Sequence, residues 1–212
     1  MTRRELASGL FLVVLLSFLF VPIYLSKSIV LGIFSSMVVI FAVLSEGKTR
    51  KLFWLELFLC ISILTLSVFQ FMENNAVLRA MQYVLFLLAA AIHVILLTRR
   101  LLYSRAVSAD FVISSINGFL LLGFLFAVLC SFLEFCIPGS FSYSKAIDSQ
   151  NLHLFIYFSF VTLATLGYGD FLAASSLAQS LSLVIAIFGT LYSILVIGLV
   201  LGKFLQREDE KG

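Results

Sequence analysis

Charge is what this sequence has least of: of its 212 residues only 12% are charged, against 62% hydrophobic. Soluble globular domains carry about twice that share of charge, so such a domain is excluded. The charges that are present gather at the ends of apolar runs. Those runs are too continuous for the alternating pattern of a membrane barrel, which leaves an all-α integral membrane protein. Cysteine is also scarce. Cys60, Cys130 and Cys136 are odd in number, lie in or beside apolar runs and have no ligand partners, which argues against a disulfide framework and a metal site. They read as small apolar packing residues. Histidine occurs twice, as His93 and His153, each isolated, and no paired carboxylates or nucleophile setting accompany them. The chain is therefore expected not to be an enzyme.

What is present is a series of apolar runs separated by polar turns. Spans are expected at about 9–25, 28–45, 52–71, 76–98, 112–135 and 177–201, with a short apolar run at 151–164. A hydrocarbon core needs about 20 apolar residues, so this short run has the length of a re-entrant segment. Arg3 and Arg4 before the first run resemble a secretory signal, but the run is long for one and no small-x-small cleavage site follows. It reads as a retained span. Pro22 kinks or ends that helix near its outer end, and Trp54 sits where interfacial aromatic belts form.

Orientation follows from the positive charges. With a cytoplasmic amino terminus, all 14 basic residues except Lys27, Arg79 and Lys145 fall on the cytoplasmic side. The positive-inside rule thus places both termini in the cytoplasm, in a multi-pass protein of the plasma (cytoplasmic) membrane.

Between the short run and the last span lies Thr162-Leu163-Ala164-Thr165-Leu166-Gly167-Tyr168-Gly169-Asp170. Glycine takes left-handed backbone conformations without steric cost. Alternated with ordinary residues, it lets successive carbonyls point one way, and such a row of oxygens replaces the water shell of a cation. The string resembles the selectivity-filter signature of potassium channels. The resemblance is specific over 155–170. Over the rest it is architectural, to the six-transmembrane, one-pore-loop voltage-gated-like superfamily, as a minimal prokaryotic-type chain.

The resemblance implies a homotetramer, this chain with three further copies, around one central potassium-selective pore. Backbone oxygens of Thr165, Leu166, Gly167 and Tyr168 would bind K+ ions, with the Thr165 hydroxyl as innermost ring. K+ in the filter is the expected bound species, with no organic cofactor and no nucleic-acid partner. Thr162, Tyr157, Gly169, Asp170 and Glu134 would support the filter. Where some channels carry a glutamate, four residues before Thr165, this chain has Val161; where tryptophan is frequent it has Tyr157, whose phenol would bond Asp170 as an outer clamp. Leu166 stands in place of the more usual valine or isoleucine. The 151–164 helix, capped by Asp148 or Ser149, would aim its negative carboxyl end at the cavity.

Two residues read in two ways. Glu134 either bonds backbone or hydroxyl groups behind the filter or snorkels to the interface. Gly189 lies on a stripe of small residues with Ala178, Ser182, Ala186 and Ser193. It is either the bending point of a gate-bearing inner helix or a close-packing residue.

What the fourth span lacks is an arginine repeat. Each charge moved yields only about 2.3 kcal/mol per 100 mV, and Arg79 stands alone near the outer end of that span. Steep voltage gating is not expected. Residues 1–98 thus form a voltage-sensor-like domain without gating arginines, 99–111 an amphipathic linker, 112–204 the pore domain with filter 165–170, and 205–212 a short cytoplasmic tail. Arg99, Arg100 and Arg105 in the linker are candidate contacts for anionic lipid. The alternatives are a non-selective cation channel and a non-conducting membrane subunit. The opening stimulus is not written in the sequence.

Overall fold

The computed structural model describes residues 3–19, 50–72, 75–104, 108–143 and 152–209. Along the chain these form α1 (Arg3–Leu19), α2 (Arg50–Met72), α3 (Ala76–Tyr103), α4 (Ala109–Cys136), β1 (Phe141–Tyr143), α5 (Leu152–Leu163), β2 (Phe171–Ala173) and α6 (Ser176–Asp209). The expected second span, 28–45, and the proposed caps Asp148 and Ser149 lie outside the described residues, as do Lys27 and Arg105. The chain divides into two compact units, Met1–Ile95 and Leu96–Gly212.

Among the described residues three helices are long and apolar enough to cross a membrane: Ala76–Tyr103, Ala109–Cys136 and Ser176–Val200. The apolar stretches Leu6–Ser17, Leu57–Phe69 and Leu152–Leu163 are shorter. The fold is helical apart from one antiparallel pair, in which Phe141 faces Ala173, Ser142 faces Leu172 and Tyr143 faces Phe171.

In the first unit each helix buries one face at three- and four-residue spacing. These faces are Ala7, Phe11 and Leu15 on α1, Leu59, Ile63 and Ser67 on α2, and Gln82, Tyr83, Phe86, Ala90 and His93 on α3. Polar groups on these faces need partners away from water. Gln82 Nε2 donates to Ser67 Oγ at 2.8 Å, and Ser67 Oγ donates to the Ile63 carbonyl at 2.7 Å. The His93 ring meets Phe11 edge-on, with centroids 6.0 Å apart.

The unit boundary falls inside α3, which runs unbroken through Arg99 and Arg100 to Tyr103. Of the stretch 99–111 expected as an amphipathic linker, the first five residues belong to α3 and the last three to α4. In the second unit Leu97, Leu101 and Phe111 are buried, and the Arg100 guanidinium pairs with the Asp110 carboxylate. Ser108 caps α4 by accepting the Phe111 amide at 3.2 Å, and Asp110 adds negative charge to the first turn, where the helix dipole favours it.

Helix α4 is the scaffold of the second unit, packed against both α5 and α6. Two glycines make room on it. A methyl at Gly123 would overlap the Phe160 ring of α5, and one at Gly118 the Tyr192 phenol of α6. Hydrogen bonds reinforce both approaches: Ser159 Oγ donates to the Gly123 carbonyl and Tyr192 Oη to that of Ser115, each at 2.7 Å.

Candidate functional site

Helix α5 ends in a compact C-terminal motif that launches the glycine-containing loop. The Leu166 amide donates to the Val161 carbonyl at 2.9 Å and the Thr165 amide to that of Thr162 at 3.0 Å. This six-to-one and five-to-two pairing needs a left-handed residue just past the helix. Thr165 takes that place with φ 59°. Glycine usually fills it; for a β-branched side chain the region is an outlier that costs on the order of 1–2 kcal/mol. Gly167 and Gly169 follow at φ 54° and 77°, so every second residue from Thr165 to Gly169 is left-handed. Such strain collects at functional sites.

The loop presents its residues outward from this chain: Thr165 through Gly169 are exposed, Leu166 at 56% and Tyr168 at 66%. Tyr168 lies against Tyr157 of α5, the rings near-parallel at 18° with centroids 6.5 Å apart. Tyr157 Oη donates to Asp170 Oδ2 at 2.7 Å, joining the middle of α5 to the residue that ends the loop. A cavity of about 230 Å³ opens beside the loop, lined among others by Tyr157, Val161, Thr162, Tyr168, Asp170 and Ser182.

Beyond Asp170 the chain is held by β2 and by the turn that ends α4. Glu134 accepts the amides of Gly139 at 2.8 Å and Phe141 at 3.0 Å through its two carboxylate oxygens. Of the two readings of Glu134, its contacts in this structure are those of a backbone-bonding carboxylate. The turn it fixes offers the Ser140 carbonyl to the amides of Ala174 at 2.8 Å and Ser175 at 3.1 Å, directly before α6 begins. Phe141, Phe155, Phe158 and Phe171 pack as one aromatic cluster, with centroids 5.2–5.8 Å apart. One apolar plug thus joins both strands to the start of α5.

The stripe on α6 divides. Ala178 and Gly189 are buried, Ser182 and Ala186 half-buried, and Ser193 exposed. A methyl on Gly189 would overlap the carbonyl of Leu163, the last residue of α5, and α6 is helical on both sides of it. Gly189 thus lies where α6 closely approaches the end of α5. Among the proposed lipid contacts, Arg99 is exposed and Arg100 is engaged by Asp110.

Sequence reasoning named Tyr157, Asp170, Glu134 and the loop, and the structure brings these to one end of the second unit. It missed the phenylalanine cluster, Ser140 and the α4 glycines. The signal for the last was available: glycine within an apolar membrane helix lets a neighbour approach closely.

Residues 119–207 match a family model described as an ion channel. No curated protein and no solved structure matches the chain. The matched stretch takes in most of α4, the strands, α5, the loop and nearly all of α6. Together with three helices of spanning length and composition, the match makes this stretch similar to the membrane domain of an ion channel.

Proposed function

We propose that this protein is a potassium-selective channel in which four copies place their Thr165–Asp170 loops around one axis. The observation that carries this reading is the alternation of left-handed φ at Thr165, Gly167 and Gly169. Alternating handedness turns successive carbonyls to one side, the arrangement a dehydrated cation needs. The ligands are the carbonyls of Thr165, Leu166, Gly167 and Tyr168, with the Thr165 hydroxyl below them. Helix α5 is the re-entrant helix. Its 12 residues are too few to cross a bilayer, and non-helical backbone at membrane depth is tolerated where it lines a watery path. The tyrosine clamp, the Glu134 turn and the phenylalanine cluster hold the loop's outer end. Residues before α4 supply the remaining spans of a six-span chain, without steep voltage dependence, and both termini face the cytoplasm.

The test is the reversal potential of the purified protein in planar bilayers, with potassium on one side and sodium on the other. A value near the potassium equilibrium potential is expected. A value near zero overturns selectivity in favour of a non-selective cation channel.

A further inference from the structure

Helix α6 is one continuous helix of 34 residues, yet its attachment to the rest of its unit is uneven. Along one face Ala178, Ile185, Gly189 and Tyr192 follow at steps of seven, four and three, and each meets α4, α5 or is buried. Phe188 crosses Phe126 of α4 edge-on, with centroids 5.9 Å apart. The last fastening is Tyr192. Its ring lies 6.0 Å from that of Phe119, it occupies the notch left by Gly118, and its hydroxyl reaches the Ser115 carbonyl at 2.7 Å. From Ser193 to Val200 no residue is buried, and among the described residues no hydrogen bond or ring contact joins this stretch to another element.

We propose that Tyr192 is a latch that divides α6 into a fixed part, through Tyr192, and a movable part beyond it. The Tyr192–Ser115 hydrogen bond then sets how readily the inner end of the helix leaves α4. The place of division is decided by two facts. Gly189, the residue with the least side chain, is wedged against the Leu163 carbonyl, so bending there would disturb the end of α5 and the loop that follows. Past Tyr192, among the described residues, no buried residue, hydrogen bond or ring contact ties the helix to another element. This part-buried hydrogen bond gives the latch two states, made and broken. Coupling of this latch to ion flow rests on the channel reading; the movement itself does not.

The test uses the full chain in lipid vesicles, with Cys60 and Cys136 replaced by serine and the buried Cys130 kept. A nitroxide is attached through Ile197→Cys or, in a separate sample, Leu183→Cys. Tyr192→Phe removes only the hydroxyl; Gly118→Ala displaces the phenol from its notch by a different route. Both are expected to raise label mobility at position 197 and leave position 183 unchanged. In bilayer recordings both shift the ratio of open to closed time by about fivefold, the worth of one hydrogen bond, with reversal potential unchanged. Unaltered mobility at 197 in both variants, or an equal rise at 183, overturns the latch. If the unmodified protein passes no current or is non-selective, the channel reading fails while the spin-label comparison still decides the latch.

Discussion

At the scale of single residues, this protein places ordinary side chains in extraordinary backbone positions. Thr165 is left-handed at φ 59° where glycine is usual, and it stays there because the end of α5 holds it on both sides through the Thr162 and Val161 carbonyls. A glycine would fit this backbone with less strain but would remove the hydroxyl that the ion-binding reading uses. Tyr157 works at the other end of the loop. A hydrogen bond to a charged group contributes about 1.5–3 kcal/mol when buried, and less here because both side chains are partly exposed. Tyr157→Phe keeps the ring stacked on Tyr168 and removes only the donor. It is expected to speed the decay of current during sustained recording roughly tenfold, the equivalent of about 1.4 kcal/mol. An unchanged decay rate would show that Asp170 needs no clamp.

At the scale of elements, the packing of α4, α5 and α6 depends on where bulk is missing. Gly118, Gly123 and Gly189 each receive a specific neighbour: the Tyr192 phenol, the Phe160 ring and the Leu163 carbonyl. Overfilling a packed contact costs about 1–3 kcal/mol, most where the obstacle is backbone and cannot turn aside. Gly189→Ala is therefore expected to lower the midpoint of thermal unfolding of the detergent-solubilised protein clearly. Gly198→Ala, on the same helix with nothing within 4 Å of the added methyl, should stay within about 0.5 kcal/mol of the parent. Equal effects of the two would mean that the approach of α6 to α5 is not tight in solution. The short strand pair is an element of the same kind. Three residues a side would be marginal alone, and the phenylalanine cluster with the Glu134-bound turn makes it a fixed corner.

At the scale of the whole molecule, the proposed pore needs more than one chain. The loop residues lie open on the surface, and α6 exposes Leu183, Ile187, Leu191, Ile194 and Ile197 along its length, far more apolar surface than a helix surrounded by its own chain would leave. Only 11% of its spanning window is buried, against 61% for α4. Lipid can cover some of that surface, but the proposed ring of carbonyls would need the four copies. Native mass spectrometry from detergent is expected to give a species of four chains, and a monomer as the sole species would remove the structural basis of the proposed pore.

The sequence by itself determined the helical membrane class, the short helix before the last span and the string from Thr162 to Asp170. All of these rest on local information: apolar run length, charge at the ends of runs, and glycine spacing inside one contiguous string. Only the tertiary structure decided what Glu134 and Gly189 touch, because each meets backbone that no periodicity encodes. Glu134 reaches the amides of a turn, and Gly189 faces a carbonyl more than twenty positions earlier in the chain. The phenylalanine cluster has the same origin. In a chain with 23 phenylalanines, composition cannot say which four meet; the antiparallel register of Phe141 against Ala173 does.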